Sequence, residues 1–374
     1  MLSSYWKEDD SLVYVLVAAV FVFLYGAKFS KPGEFNRDYM SKETTGSING
    51  IFVVVVFMSH ISQYMSLNGP TDRAWTDLKG YLGQLVVVTF LFYSGYGMMC
   101  SVFKKGTPYI KGLFKNRFLS RLLHFDIAIL LYALVNLAIG REYTFKDFLI
   151  ALTTWKGIGN ETWYITAILS LYILMIISFL IFRKSKVLAL CSMTALTVLL
   201  TFVFIKLGRP TYCYNTLILF PLGMWYAYFK NAIDKFVAKN NIMYFLVLCI
   251  VLGMYVTGQK YKALGLPIYW VWACAFMILI VLVSMKLKIG NTILESLGKH
   301  VFSIYILQRI PMSVFNRLGF ANNNLNFFCM CFITTVFLSI LFDKAMAKLD
   351  SVVFKPKEIK IEIKKKDITQ NVSV

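Results

Sequence analysis

Long apolar runs separated by short polar connections recur from one end of the chain to the other. Each run supplies the ~20 predominantly apolar residues with which a helix crosses a bilayer core. The pattern predicts spans over 11–29, 48–67, 82–103, 118–139, 162–182, 187–206, 212–229, 242–258, 266–285, 301–317 and 325–342, of which 301–317 is the least hydrophobic. The expected fold class is therefore all-α, a polytopic transmembrane helix bundle of about 10–11 spans. No large soluble domain, long loop or obvious repeat interrupts the pattern. The chain reads as one membrane domain over 1–342 followed by a basic tail over 343–374.

Composition agrees with the pattern. Hydrophobic residues make up 58% of the chain and charged residues 16%, against roughly one-quarter charged in ordinary soluble domains. The lysines and arginines then orient the chain, because basic residues accumulate in cytoplasmic loops. Placing the connections near 30–47, 104–117, 183–186, 230–241 and 286–300 and the C-terminal tail inside puts 27 of the 39 basic residues there, counting those at the adjoining helix ends. The N-terminus is then expected outside and the C-terminus in the cytoplasm. Much of the net charge of +20 comes from this asymmetry and from the tail segment KPKEIKIEIKKKD. Such a tail suits anionic inner-leaflet lipids, or simply reinforces topology as a solvated terminus. The basic residues are not interleaved with aromatics on one soluble face, which argues against nucleic acid as a partner.

Glu8, Asp9 and Asp10 give the N-terminus the wrong charge for a signal peptide, so the first span is expected to be retained. The seven cysteines are scattered through apolar segments without paired spacing, and neither a zinc site nor a disulfide framework is indicated. Cys329 and Cys331, two apart, are expected on different faces of one helix.

Four groups of polar residues inside or beside the spans carry the candidate chemistry. The first is His60 in SINGIFVVVVFMSHISQYM, one of three histidines in the chain. An ionisable imidazole in a span is costly unless it faces a protein interior or a wet cavity, and its ordinary pKa suits a general base or proton relay. Asn49, eleven residues earlier, lies on the same helical face about 16 Å away, and Gln63 and Tyr64 continue that face outward. The second is the stripe Arg117, Arg121 and His124 in NRFLSRLLHFD, at the cytoplasmic end of a span. Guanidinium forks suit phosphate oxygens, although positive-inside statistics alone also put arginines here.

The third group is Asn160, Glu161, Trp163 and Tyr164 in GIGNETWYI. These read either as interfacial belt anchors or as a sugar-binding lip of aromatic faces and polar hydroxyl partners, the belt reading being the simpler. The fourth is LGKHVFSIYILQRIPM, where Arg309 falls near mid-membrane at a cost of ~2.5–3.5 kcal/mol on insertion scales. Tyr305 and Gln308 sit on its side of the helix, and Pro311 is expected to kink the helix where they converge.

The ordered segments SINGIFVVVVFMSHISQY, TFLFYSGYGMM, NRFLSRLL, NETWYI, FPLGMWYAY and LGKHVFSIYILQRIPM resemble the acyltransferase 3 family of integral membrane acyltransferases over about 45–342. More narrowly, the chain is similar to bacterial members that O-acetylate capsular or other surface polysaccharides. The resemblance implies a catalytic histidine at His60. It implies acetyl-CoA as the donor and no metal. The family commonly carries an arginine eleven residues before that histidine; here the position is Asn49, and Lys42 or the Arg117 and Arg121 pair can supply the charge instead.

On this reading Arg117, Arg121 and Asn49 bind the donor, Glu161, Trp163, Tyr164, Gln308 and Arg309 bind the acceptor, and His60 removes a proton from an acceptor hydroxyl. Ser59 and Ser94 are conceivable acyl carriers, but small hydroxyls in spans more often pack helices together. The implied partners are acyl-CoA, a surface glycan or lipid-linked sugar, and membrane lipids. A homo-oligomer is compatible with the sequence. The implied location is the bacterial plasma membrane. A polysaccharide transporter or flippase, which also needs a central polar path, is the competing expectation. The buried Arg309 and His60 count against a purely structural membrane protein.

Overall fold

Polar residues that punctuate the apolar runs cap the helices. Ser41, Thr144, Ser185, Asn240, Asn291 and Asn323 each accept a hydrogen bond from a backbone N–H in the first turn that follows, satisfying donors that a helix leaves unpaired at its start. In the computed structural model, which describes residues 11–67 and 72–354, these caps delimit an almost wholly helical chain. Glu8, Asp9, Asp10 and the tail segment 355–374 lie outside the described residues.

The elements run α1 (Ser11–Leu24), β1 (Lys28–Phe29), α2 (Lys42–Ile61), α3 (Asp72–Leu82), α4 (Val88–Lys105), α5 (Thr107–Leu113), a π turn over Phe114–Leu119, and α6 (Ser120–Ile139). They continue with α7 (Phe145–Leu152), α8 (Trp163–Ile181), α9 (Lys186–Lys206), α10 (Leu219–Val237), α11 (Asn241–Tyr261), α12 (Leu266–Lys286) and β2 (Leu287–Lys288). The last are α13 (Thr292–Lys299), α14 (Val301–Leu307), α15 (Arg309–Arg317) and α16 (Asn324–Val353).

Eight helical stretches among the described residues are long and apolar enough to cross a membrane: 42–61, 72–105, 107–139, 163–181, 186–206, 241–264, 266–286 and 324–353. The other three expected spans differ for local reasons. The first shortens to the 14-residue α1, and 212–229 is displaced to α10, whose second half carries Lys230, Asp234 and Lys235. The third, 301–317, divides at Gln308. Pro311 has no N–H to donate to the Leu307 carbonyl four residues back, so the break appears one turn before the proline. The last helix continues to Val353, so the segment expected to begin a tail at 343 is helical at first.

Helix ends sort onto two faces. On one, the ends of α1 and α12 are tied by the β1–β2 pairing of Lys28 with Lys288 and by Asn291 Nδ2 donating to the Val22 and Tyr25 carbonyls. On the same face the Tyr39 hydroxyl, before α2, donates to Asp234 near the end of α10. His124 at the start of α6 bonds Asp350 at the end of α16, 2.9 Å apart. On the opposite face Trp75 Nε1 donates to Ser62 Oγ at 2.8 Å, and Asn324 Nδ2 to the Ser66 carbonyl at 3.1 Å.

Two interhelical seams hold this frame. Gly95 of α4 faces the Phe220 carbonyl of α10, and Gly223 of α10 faces the Phe92 carbonyl in return. Gly50 of α2 likewise packs on the Leu294 carbonyl of α13, and Gly298 on the Gly46 carbonyl. Bare Cα atoms allow backbones to approach where lipid supplies no hydrophobic drive, and dispersion contacts accumulate there instead. The second seam anchors the first half of α2, the helix that carries His60 at its other end. Cys329 is exposed and Cys331 buried, as their spacing on α16 requires.

Candidate functional site

His60 occupies the last turn of α2, after an apolar stretch from Phe52 to Met58 in which every side chain is buried. Phe57, one turn before it, packs edge-on against Phe328 and Phe332 of α16, at 5.6 and 5.2 Å between ring centroids. The imidazole itself is half-buried. Its Nδ1 is shut off from solvent and has no hydrogen-bond partner. The Tyr305 ring lies 6.1 Å away. A buried acceptor or donor left unpaired costs on the order of 1–3 kcal/mol, and such groups are kept where something else is to pair with them.

Tyr305 Oη, Gln308 Oε1 and Arg309 Nε are also sealed and unpartnered. Three of these four orphaned atoms come from the junction of α14 and α15. The break at Gln308 is what points this stretch inward: the Gln308 amide turns back to the Tyr305 carbonyl at 3.1 Å, and Arg309 begins a new helix. From there Arg309 Nη2 donates to Gln63 Oε1 at 2.7 Å, just past α2, and to Glu161 Oε1, just before α8. One guanidinium thus ties three segments together beside His60. Tyr64, expected on the same face, reaches Ser313 of α15, with 3.4 Å between hydroxyls.

The aromatic residues after Glu161 take different places. Tyr164 packs edge-on against Tyr305 at 5.5 Å and Phe90 at 6.2 Å, and so joins the His60 cluster. Trp163 is buried against Tyr164 and Tyr212, at 5.8 and 5.9 Å, one layer further out. The structure therefore brings together His60, Glu161, Tyr164, Gln308 and Arg309, with Trp163 at the rim. Ser94 reaches only Met98 Sδ, 3.9 Å away on its own helix. Ser59 faces a small crevice beside Trp75 and Lys79, not the Tyr305 side.

Asn49 and the arginine stripe lie on the opposite face. Asn49 Oδ1 is sealed and unpartnered beside the α2–α13 seam. Arg117, Arg121 and His124 do not form one stripe, because the π turn over Phe114–Leu119 adds a residue to the helical cycle and rotates what precedes it. Arg117 is exposed and lines a cavity with Lys105, Tyr109 and Asn116. Arg121 instead lies over the Phe302 ring at 5.0 Å, and His124 pairs with Asp350. A second histidine, His300, pairs with Asp343 at 2.5 Å on the same side of α16. These histidine–carboxylate pairs escaped the sequence reading; the signal for them is two aspartates seven apart, which share a face at the end of a helix.

No group of three or more His, Cys, Asp or Glu side chains with metal-ligand geometry occurs among the described residues. The chain matches the model of the acyltransferase domain, acyltransferase 3, over residues 47–344. No curated protein and no solved structure gives a significant match. The matched segment contains α2 from Ser47 and every element that contributes to the His60 cluster, as well as the eight long apolar helical stretches except the first residues of the first and the last turns of the last. This multi-pass helical membrane protein therefore belongs to the acyltransferase 3 family, and its general activity is acyl transfer.

Proposed function

We propose that the protein moves an acyl group, in the first instance acetyl, from cytosolic acyl-CoA to a hydroxyl of a cell-surface or lipid-linked glycan in a bacterial plasma membrane. The observation that carries this reading is the His60 cluster: an unpartnered imidazole nitrogen beside three further orphaned polar atoms, at one end of a membrane bundle of an acyltransferase family. The opposite face, rich in basic residues, is the cytoplasmic one in this reading, which puts the N-terminus outside and the C-terminus inside. Arg117, with Asn49 deeper on α2, serves the donor. Arg121, committed to Phe302, is set aside from it.

In the transfer step, the acceptor oxygen attacks the thioester carbonyl carbon while His60 takes the hydroxyl proton. The carbon–sulfur bond then breaks and the new ester carbon–oxygen bond remains. The departing thiolate takes the proton back from the imidazolium and leaves as CoA thiol, so His60 ends as it began. Tyr305 and Gln308 border the space where the carbonyl oxygen acquires charge, and Glu161 and Arg309 with the Tyr164 and Trp163 rings form the acceptor side. Hydrogen-bond donors held in place at a developing oxyanion are worth about 10²–10³ in rate.

Membranes containing the protein, given radiolabelled acetyl-CoA, are expected to label surface glycan, and mass spectrometry of the glycan locates the ester. His60→Ala, expressed and inserted normally, is expected to lose the label. Full labelling by that variant would remove His60 from the chemistry, and loss of the whole glycan along with its acetyl groups would point to transport instead.

A further inference from the structure

The loop between α7 and α8 joins the His60 cluster at one end, through Glu161, and at the other holds a group of side chains that the transfer step does not use. Near its start Thr154 has a φ of 64°, the one non-glycine residue with a positive φ among the described residues. For a β-branched side chain this conformation is costly and persists only where the surroundings impose it. Thr166 of α8 does so. Its hydroxyl donates to the Thr154 carbonyl at 2.7 Å and lies 3.1 Å from the Thr154 hydroxyl. The rest of the loop is as firmly held: Asn136 Nδ2 of α6 donates to the Ile158 carbonyl at 2.5 Å, and Gly157 packs where a Cβ would meet the Asn160 carbonyl.

The strained residue fixes the place of Trp155, which follows it. Arg209, just past α9, lies over the Trp155 ring at 4.4 Å, and its Nη1 donates to the Trp155 carbonyl at 3.2 Å. The guanidinium is therefore held at two points, yet no carboxylate pairs with it among the described residues. Its Nε is sealed and unpartnered. By contrast Lys156, beside Trp155 in sequence, is neutralised by Asp147 at 2.6 Å. Tyr212, three residues after Arg209, leads back to Trp163 at the rim of the His60 cluster, 5.9 Å between rings. Trp155 is 39% exposed and Tyr212 40%, so both rings are open to a ligand arriving from this face.

An aromatic anchor at a membrane surface needs neither a strained backbone nor a guanidinium clamped to its ring. Open aromatic faces take the apolar C–H face of a sugar, and a fixed guanidinium without a carboxylate takes a negative charge carried by the same molecule. One cation without a counter-charge matches one negative charge, as on the carboxylate of a sugar acid. Because the group lies outside Trp163, it adds room for a unit beyond the one that reacts.

We propose that Trp155, Arg209 and Tyr212 form a second acceptor subsite, which holds a carboxylate-bearing sugar next to the unit whose hydroxyl is acylated at His60. The acceptor is then an acidic glycan chain, not a single neutral sugar. The proposal rests on the reading of the protein as a glycan acyltransferase and names the class of glycan.

The test uses the full-length protein in phosphatidylcholine nanodiscs with radiolabelled acetyl-CoA and two acceptors: surface glycan released from the bacterium, and the same glycan after its carboxylates are reduced to alcohols. Wild type is expected to have a KM about tenfold lower for the native glycan than for the reduced one. Arg209→Gln is expected to raise the KM for native glycan about tenfold and to leave that for reduced glycan within twofold, the loss falling on KM and not on kcat. Trp155→Ala should raise both KM values, and Trp155→Phe, which keeps a ring on the same backbone, should restore most of the loss. Equal KM values for the two glycans in wild type overturn the proposal, as does an Arg209→Gln variant that keeps the wild-type preference. Adding phosphatidylglycerol tests the lipid alternative: a melting temperature that rises in wild type and not in Arg209→Gln, with the glycan KM unmoved by that substitution, assigns Arg209 to a lipid headgroup and rejects the subsite. If wild type labels neither glycan, the acyltransferase reading fails. Calorimetric binding of the two unlabelled glycans still decides the subsite: tighter binding of native glycan that is lost in Arg209→Gln upholds it, and equal or absent binding rejects it.

Discussion

Replacing Glu161 with glutamine isolates the charge that Arg309 depends on. Arg309 is the more enclosed partner, its side chain 13% exposed against 28% for Glu161. Glutamine keeps the shape and one acceptor oxygen but removes the only carboxylate paired with the guanidinium among the described residues, leaving Arg309 with the neutral Gln63 amide at 2.7 Å. Breaking a fully buried pair from one side costs about 3–5 kcal/mol, and a fully exposed pair contributes ~0.2–1 kcal/mol. Partial burial places Glu161→Gln at about 2 kcal/mol. Arg309→Gln is expected to cost less, because the Glu161 carboxylate left behind is the partner that water reaches more easily.

Equilibrium unfolding in mixed micelles of the wild type, both single variants and the double variant measures the coupling directly. The double variant is expected to recover about 2 kcal/mol relative to the sum of the singles. Free energies that add to within ~0.5 kcal/mol, or an Arg309→Gln variant more damaged than Glu161→Gln, would refute the claim that this pair braces the ends of α2 and α8 against α15.

Other outcomes follow from the same geometry. His60→Gln is expected to reduce acetyl transfer by about 10²–10⁴ while leaving the unfolding midpoint close to wild type, read by steady-state kinetics alongside thermal melts. Gly95→Val should cost about 1–3 kcal/mol or prevent folding, because the new Cβ meets the Phe220 carbonyl. Gly97→Ala, on the same helix with nothing within 4 Å, should be neutral or stabilising by up to about 1 kcal/mol. Asp147 caps α7 together with Thr144, and its hydrogen bond to Lys156, 2.6 Å long, and those to Thr144 hold its carboxyl down to about 2. Because the folded value lies below the unfolded one of ~3.9, this support is full above about pH 4 and lost as pH falls through about 2. Amide exchange in α7 should accelerate across that window in the wild type and not in Asp147→Asn.

The apolar runs by themselves determined that the chain crosses a membrane many times and nearly where, since a bilayer leaves the backbone no alternative to helices of a set length. The same logic singled out His60 and Arg309, because an ionisable group in lipid stands out in any apolar run. Pro311 was legible as a break, though its effect sits a turn earlier at Gln308, where the lost hydrogen bond falls. The partners of these groups were not legible. Nothing within one helix announces that Arg309 will meet Gln63 and Glu161 from segments 246 and 148 residues away in sequence. Nor does helical spacing reveal the π turn that parts Arg117 from Arg121, because a heptad count assumes the regular cycle which that turn interrupts. Periodicity is a property of one segment in its solvent. The cavity beside Arg117 and the cluster around His60 are properties of which segments pack together, and packing such as the glycine seams between distant helices is settled only in three dimensions.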